Sequence, residues 1–435
     1  MIRLIHIIIA VVALTILSGV VSASESDSER FPPPEFETDY QRPSPTTPEP
    51  RQDLWEYVDV AVLVAALGLS SYLVLRKRNR RMIFLLTVCS LIYFGFWRKG
   101  CVCPIGAIQN MVLSVFDANY AVPMAVAAFF LLPLVFTLFF GRTFCAAVCP
   151  LGAMQDLVLF KPVSVPSWLE SALRLLAYVY LGLAVLFAAT GSAFFICRYD
   201  PFVAFFRVSG NFNILVLGAC FLLIGMFVGR PYCRYVCPYG VILRQLSRLS
   251  KWRVTITPDD CIRCRLCEDS CPFGAIRQPT ADWPARSYSR DKRRLVLLML
   301  LLPVLMLAGG WITSALSPVT SRMHATVRLA ERIYQEESGE VVDTTDASSA
   351  FRATGKKISD LYGEAGDIRG KFRLGGWFLG AFVGLMAGLK LISHSLRRNR
   401  EDYEADRASC VACGRCFQYC PREHVRLKQN KTDRE

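Results

Sequence analysis

The chain has 435 residues, of which 53% are hydrophobic and only 20% are charged, and the apolar residues fall in long uncharged runs. This distribution excludes an ordinary soluble enzyme and predicts an all-α polytopic membrane bundle. The basic residues behind the net charge of +14 cluster at the ends of the apolar runs, which indicates membrane orientation rather than nucleic-acid binding. Seventeen cysteines against four histidines, with no C-x-x-C-H string, favour iron–sulfur or zinc chemistry over haem.

The first 56 residues form a leader and a linker. Residues 1–23 are typical of a signal peptide, because Arg3 precedes an apolar core that ends in Val21-Ser22-Ala23. An uncleaved anchor helix is the alternative. Residues 24–56 are rich in Ser, Glu and Pro, which predicts a disordered periplasmic linker.

Apolar runs then predict about seven transmembrane helices, at residues 57–75, 82–97, 121–140, 174–190, 212–229, 295–312 and 374–394. Basic clusters follow the first run, precede the sixth and follow the last. With an outside start, all three clusters lie in the cytoplasm of a bacterial cell, as the positive-inside rule requires. Arg98 and Lys99 lie on the outer side and are local exceptions. Two helices at 291–312 and 374–396 flank a periplasmic loop, residues 313–373, which we expect to be a solvated connector, with docking of a periplasmic partner as the alternative.

The membrane core, residues 57–250, contains an internal repeat. The sequence GRTFCAAVCPLG at 141–152 recurs as GRPYCRYVCPYG at 229–240, which predicts two hairpin units related by an axis along the membrane normal. This relation brings four cysteines together at the cytoplasmic end of the bundle: Cys145, Cys149, Cys233 and Cys237. They could bind a third iron–sulfur cluster or zinc, or they could be buried free thiols. The repeated Gly-Arg before each pair favours the ligand role.

Two further cysteine runs match the bacterial ferredoxin signature C-x2-C-x2-C-x3-C-P, with cysteines at 261, 264, 267 and 271 and at 410, 413, 416 and 420. Zinc sites generally separate their C-x-x-C pairs by a longer insert. The segments 251–290 and 397–435 therefore predict a small cytoplasmic α+β ferredoxin-like module with two [4Fe–4S] clusters. In the shared arrangement, one cluster takes Cys261, Cys264, Cys267 and Cys420, and the other takes Cys410, Cys413, Cys416 and Cys271. Four local ligands for each cluster is the alternative.

Three cysteines are expected at the outer end of the bundle, namely Cys101, Cys103 and Cys197. A metal site with Asp200 as a fourth ligand and a disulfide both remain open. Cys89 and Cys220 lie near the middle of their apolar runs, where a buried thiol is the ordinary state and a midplane cofactor the alternative.

In the paired C-x3-C-P motifs and the first ferredoxin run, over residues 82–280, the chain resembles the membrane polyferredoxins of the NosR and NapH type. This resemblance implies electron transfer between a quinol pool or another membrane donor and a periplasmic acceptor. Two departures stand out: the large periplasmic flavin domain and its Ser-Gly-Ala-Thr string do not occur, and the outer cysteines are not part of the family core. Flavin is therefore not expected on this chain.

The sequence predicts a membrane iron–sulfur electron carrier, more typical of a non-catalytic subunit of an oxidoreductase complex than of an enzyme. It contains no dinucleotide fingerprint, nucleophile elbow or phosphate loop. The expected partners are a quinone pool or membrane redox complex and a periplasmic reductase or a flavin or haem subunit. A redox-sensing regulator and a metal-handling assembly factor for a periplasmic enzyme are the alternatives.

Overall fold

Helices dominate the computed structural model of the protein, which describes residues 53–100, 103–118, 120–207, 211–256, 261–280, 288–396 and 400–432. The predicted signal peptide, nearly all of the predicted linker and Cys101 lie outside these ranges. The first described helix begins at Asp53, so it includes the last residues assigned to the linker.

The elements in chain order are α1 (Asp53–Tyr72), α2 (Arg80–Ser90), α3 (Pro104–Phe116), α4 (Met124–Phe140), α5 (Thr143–Ala147), α6 (Pro150–Leu157), α7 (Ser167–Ala189), α8 (Phe195–Tyr199), α9 (Pro201–Arg207), α10 (Phe212–Gly225), α11 (Pro231–Tyr235), α12 (Pro238–Ser247), α13 (Leu266–Asp269), β1 (Ile276–Arg277), α14 (Tyr288–Ala315), α15 (Ser317–Ser321), α16 (Ala325–Glu337), α17 (Asp346–Ala353), α18 (Ile358–Ser395), β2 (Glu404–Ala405), α19 (Arg415–Tyr419) and α20 (Pro421–Thr432). Turns of π-helix continue α1 through Lys77 and α2 through Trp97.

Each of the seven predicted apolar runs lies on a helix, but the helices differ in length. Among the described residues, five helices are long and apolar enough to cross a membrane, and counting α9 with α10 as one bent span gives six. Helix α4 has 17 residues and α10 has 14, which is short for a full span. The protein is therefore a helical membrane protein whose core mixes full spans with shorter helices.

Proline divides the repeated segments into short helices. The five-residue helices α5 and α11 are followed by α6 and α12, which begin at Pro150 and Pro238. Proline is tolerated in the first turn of a helix, where its missing N–H has no intrahelical acceptor. Cys149 and Cys237 thus stand immediately before a new helix, and the backbone of Cys149 is extended.

The outer exception to the positive-inside rule has an acidic partner. A guanidinium nitrogen of Arg98 lies 2.7 Å from a carboxylate oxygen of Asp59, and the hydroxyl of Tyr93 donates to the other oxygen at 2.8 Å. Asp59 is buried. The carboxylate of Asp59 therefore balances the charge of Arg98, one of the two basic residues that the predicted orientation leaves on the outer side.

Helices α14 and α18 pack through glycine. Gly376, Gly380, Gly384 and Gly388 recur every four residues along α18, so they share one face of the helix. A Cβ added to Gly380 would collide with the carbonyl oxygen of Gly309. Small residues at this spacing let the two backbones approach closely inside a membrane. The pair therefore forms a tight hairpin that carries the chain away from the first ferredoxin run and back to the second.

The segment 313–373 is helical, so it is more ordered than the loop that the sequence predicts. It contains α15, α16, α17 and the first turns of α18. Val327, Ala330 and Ile333 of α16 are buried in one cluster with Leu361 and Phe372 of α18. Apolar residues three apart line one side of a helix, and here that side faces α18.

The two ferredoxin runs fold into a single small α+β unit, although the α14–α18 hairpin separates them in the chain. Strand β1 pairs with β2 in antiparallel register, with Ile276 opposite Ala405 and Arg277 opposite Glu404. The amide of Asp406 extends this pairing by donating to the carbonyl of Ala275 at 2.7 Å. Residues 261–280 and 400–432 are referred to below as the ferredoxin module.

Candidate iron–sulfur centres

The two ferredoxin runs have the same backbone form. In each run, the residues on either side of the second cysteine have positive φ: Arg263 (52°) and Arg265 (64°) around Cys264, and Ala412 (56°) and Gly414 (79°) around Cys413. Left-handed backbone is uncommon for residues other than glycine and persists only where the surrounding structure imposes it. Three of these four residues are not glycine, so the cysteine loops keep a strained shape.

The cysteines of the two runs are grouped across the runs. Cys261, Cys264 and Cys420 lie close enough to Cys267 to interact with it electrostatically. Cys413 and Cys271 are likewise neighbours of both Cys410 and Cys416. The structure thus brings together the two sets of four that correspond to the shared arrangement, in which the fourth cysteine of each run joins the first three of the other.

The donor chemistry of the module fits iron–sulfur clusters. Burial raises the pKa of the Cys410 thiol to about 12 and that of Cys267 to about 11, so these groups are protonated at neutral pH unless a metal displaces the proton. In a [4Fe–4S] cluster each of four cysteines binds a different iron, and each of the two groups in the module contains four cysteines.

The membrane core holds the second group of thiols. One cavity is lined by four cysteines, namely Cys145, Cys149, Cys233 and Cys237. The last three of them each interact electrostatically with other members of the set. We call this the C-x3-C-P site. The structure therefore brings the four repeat cysteines together. Cys103, expected at the outer end of the bundle, also lines this cavity.

A buried ion pair fixes the C-x3-C-P site. The guanidinium of Arg230 donates to both carboxylate oxygens of Asp156, at 2.9 and 2.6 Å, and both side chains are almost fully buried. Arg230 also donates to the backbone carbonyls of Cys145 and Ala146. Arg230 of the second repeat unit therefore contacts α5, the helix of the first unit that carries Cys145.

Polar side chains also reach the sulfur atoms of the C-x3-C-P site. The Nε2 atom of Gln155 lies 3.2 Å from the sulfur of Cys233, and its Oε1 atom accepts from the amide of Tyr232 at 3.0 Å. The guanidinium of Arg142 donates to the sulfur of Cys145 at 3.6 Å. Hydrogen bonds to ligand sulfur are one way in which a protein sets the potential of a cluster.

The ferredoxin module contacts the C-x3-C-P site directly. Cys145 packs against the apolar cluster of Phe273, Ala275, Val411 and Cys413, which Cys271 and Cys410 also contact. Arg80 donates to the carbonyl of Cys413 at 2.9 Å, and Arg234 donates to that of Pro272 at 3.2 Å. One thiol set of the module therefore adjoins the thiol set of the membrane core.

The outer residues line a different cavity, of about 270 Å³. Its wall includes Cys103, Cys197 and Asp200, so the structure brings these three together, and Cys103 lies between the two cavities. Among the described cysteines, all are free thiols. We call this wall the outer site.

The two remaining described cysteines, Cys89 and Cys220, are not fully buried. Cys89 is exposed on the surface of α2, and Cys220 on α10 is only half-buried. The expectation of a buried thiol is therefore wrong for Cys89, while Cys220 is partly covered.

Sequence reasoning missed the polar residues that support the thiols. Gln155, Asp156 and Arg230 carry the contacts of the C-x3-C-P site, but only the Gly-Arg of the repeat drew attention to one of them. A signal for Gln155 was present, because the sequence CPLGAMQ at 149–155 matches CPIGAIQ at 103–109. Nothing comparable marks Asp156, since the second repeat has no acidic residue at the matching position.

Comparisons with known proteins agree with this chemistry. A family model described as a 4Fe-4S binding domain matches residues 122–164 and 211–257, which contain the two C-x3-C-P motifs, and a second with the same description matches 254–277. No solved structure matches the chain.

Several curated proteins are similar in sequence. The uncharacterized protein MJ0750 of Methanocaldococcus jannaschii is 30% identical over 203 residues, which is 46% of this chain and 82% of the relative. The putative electron transport protein YccM of Escherichia coli is 29% identical over 25% of this chain and 33% of its own length. Protein NirI of Paracoccus denitrificans is 30% identical over 27% of this chain and 18% of its own length.

The chain thus spans most of MJ0750 but a third or less of YccM and NirI. These matches confirm the resemblance drawn from the cysteine motifs, and they support iron–sulfur clusters and an electron-transfer role in a membrane. The chain belongs to the 4Fe–4S ferredoxin-type membrane electron-transfer proteins of the NosR and NapH type.

Proposed function

We propose that the chain carries electrons between a cytoplasmic or quinol donor and a periplasmic respiratory or maturation partner. Two [4Fe–4S] clusters occupy the ferredoxin module in the shared arrangement, and a third occupies the C-x3-C-P site. The observation that carries this proposal is the packing of Cys145 against the apolar cluster that contains Cys413 and contacts Cys271 and Cys410. Because donors of the module and of the core adjoin, their clusters would be neighbours.

The protein residues hold and insulate these centres. When bound, the clusters supply one-electron carriers. Arg142 and Gln155 donate to sulfur atoms, and the Arg230–Asp156 pair keeps the two repeat units in register. Gln155, Asp156 and Arg230 are buried, so their electrostatic interactions are stronger than those of the same groups in water.

The charge pattern supports a cytoplasmic position for the module. Arg78, in the basic cluster that follows α1, donates to the carbonyls of Thr255 and Ile256 at 2.7 Å and pairs with Glu423 of the module at 2.7 Å. Basic clusters mark the cytoplasmic ends of membrane helices. We therefore assign the protein to the bacterial cytoplasmic membrane, with about seven crossings after a signal peptide and α15–α17 on the periplasmic side.

Electron transfer across vesicles tests this function. We would reconstitute the full chain in sealed vesicles, with a membrane-impermeant reductant outside and a membrane-impermeant oxidant trapped inside, with and without a quinone analogue. We expect oxidant reduction with the wild type and a fall of tenfold or more in Cys149→Ser. Cys220→Ser is the matched control, because it replaces a thiol outside the three sets, and it should conduct like the wild type.

The outcomes separate the candidate functions. Equal rates for wild type and Cys149→Ser would contradict a third cluster on the electron path. A wild type that does not conduct but releases metal stoichiometrically to a periplasmic protein would favour the assembly factor. A wild type whose clusters are reduced without onward transfer would favour the redox sensor.

A further inference from the structure

The outer site repeats the local architecture of the C-x3-C-P site. Helix α8 has five residues, as do α5 and α11, and its third residue is Cys197, just as Cys145 and Cys233 are the third residues of α5 and α11. Asp200 then stands before Pro201 with an extended backbone, as Cys237 stands before Pro238. The outer copy is one residue shorter, with C-R-Y-D-P at 197–201 in place of C-R-Y-V-C-P at 233–238.

Two buried glutamines confirm that the two sites are built alike. Gln155 accepts a hydrogen bond from the amide of Tyr232, the residue before Cys233, at 3.0 Å. Gln109 accepts one from the amide of Ile196, the residue before Cys197, also at 3.0 Å. Both glutamines are fully buried, and each follows a Cys-Pro-x-Gly-Ala string. By this correspondence, Cys103 is the outer counterpart of Cys149, and Cys197 is that of Cys233.

Gly106 lets the sulfur of Cys197 approach the helix that follows Cys103. A Cβ added to Gly106 would lie 3.2 Å from the sulfur of Cys197, so this sulfur sits against the first turn of the helix that Cys103 precedes. Asp200 lines the same cavity, and its carboxylate accepts from the amide of Phe202 at 2.9 Å and from the hydroxyl of Tyr232 at 3.2 Å. Tyr232 precedes Cys233, so this hydrogen bond also joins the outer site to the C-x3-C-P site.

We propose that the outer cavity holds a further iron–sulfur cluster, bound by Cys103, Cys197 and Asp200. Two thiolates and a carboxylate are suitable iron ligands, and all three residues line the same cavity. Cys103 lines both cavities, so this cluster would neighbour the one in the C-x3-C-P site.

The inference rests on the proposed electron-transfer function and extends it. The hydrocarbon core of a membrane is about 30 Å thick, which is too far for one efficient electron hop from the inner face. A cluster in the outer cavity would divide that distance and place the exit point for electrons on the periplasmic side.

Iron analysis of the full chain tests the outer cluster. We would measure iron and acid-labile sulfide per chain in anaerobically purified wild type, Cys197→Ser and Cys220→Ser, with EPR of each reduced sample. We expect Cys197→Ser to lose about four irons and one EPR component, and to keep the signals of the module and the C-x3-C-P site. The control Cys220→Ser should match the wild type.

A second variant keeps the proposal testable if Cys197→Ser folds poorly. Asp200→Cys should retain the iron of the wild type while changing the EPR component and midpoint potential assigned to the outer cluster, because a thiolate donates more electron density than a carboxylate. Unchanged EPR in Asp200→Cys, or equal iron in the wild type and Cys197→Ser, would overturn the inference, as would a disulfide between Cys103 and Cys197 in the untreated protein.

The same assay on Cys149→Ser separates this inference from the proposed function. If Cys149→Ser loses about four irons and Cys197→Ser loses none, the outer cluster is absent and the C-x3-C-P cluster stands. If only Cys197→Ser loses iron, the outer cluster stands and the C-x3-C-P cluster is contradicted.

Discussion

The ferredoxin module and the C-x3-C-P site hold their cysteines by different means. In the module, three cysteines of each set lie in one short loop whose strained backbone keeps them together. In the membrane core, the four thiols come from two repeat units far apart in the chain, and a buried ion pair between Arg230 and Asp156 joins those units. A loop can preassemble its ligands locally, whereas the core depends on polar contacts between distant helices.

The largest effect is expected when the one cysteine that each cluster takes from the opposite ferredoxin run is replaced. We expect Cys271→Ser to abolish the cluster of Cys410, Cys413 and Cys416, and Cys420→Ser to abolish that of Cys261, Cys264 and Cys267. EPR of the reduced variants would show which signal is lost. Because only the Cys271 set adjoins Cys145, only Cys271→Ser should also alter the signal of the C-x3-C-P cluster.

Loss of the cluster of its own run in Cys420→Ser, with the other cluster intact, would contradict the shared arrangement. Cys89→Ser is a matched control, since this thiol is exposed on α2 and belongs to no set. It should leave all EPR signals unchanged.

The next largest effect concerns the buried ion pair. We expect Arg230→Gln to lower the free energy of unfolding by about 3 to 5 kcal/mol, because it leaves the carboxylate of Asp156 buried without its partner. Thermal unfolding in detergent, followed by far-UV circular dichroism and by retained iron, would measure the loss. Arg322→Gln is the control, because Arg322 is 61% exposed and its pair with Glu331 should contribute about 1 kcal/mol or less. Equal effects of the two substitutions would contradict the role given to Arg230.

The smallest expected effect is on the midpoint potential of the C-x3-C-P cluster. Gln155→Leu removes an N–H donor from the sulfur of Cys233, so the sulfur becomes richer in electrons and the oxidised cluster is favoured. We expect the midpoint potential of the C-x3-C-P cluster to fall by roughly 60 mV or more, the equivalent of a hydrogen bond to a charged group. A redox titration followed by EPR would measure the shift, and the potentials of the module should not change. A potential that does not fall would contradict the donor role of Gln155.

The sequence was informative where spacing is local. The two ferredoxin runs and the C-x3-C-P pairs were evident because each motif is contiguous, and the apolar runs predicted where the helices lie. The sequence could pose the sharing of Cys271 and Cys420 as a hypothesis but could not decide it against four local ligands, because it depends on the pairing of β1 with β2 across the α14–α18 hairpin. Asp156 was missed because its partner Arg230 lies in the other repeat unit, and no pattern within either unit marks the pair.

The segment 313–373 shows the same limit. In α16, apolar residues recur every three positions among mixed charges. The buried role of this apolar face becomes evident only from its packing against α18. The outer site was likewise visible only in part. Cys103 and Cys197 were evident in the sequence, but their correspondence to Cys149 and Cys233 depends on the hydrogen bonds of Gln109 and Gln155.

The most direct test of the central claim is the iron and acid-labile sulfide content of anaerobically purified wild type and Cys233→Ser. Three clusters require about twelve irons per chain, and the outer cluster would bring the total to about sixteen. We expect Cys233→Ser to contain about four irons fewer than the wild type, with the EPR signals of the ferredoxin module retained. About eight irons in both proteins, or zinc without labile sulfide, would contradict a cluster in the membrane core.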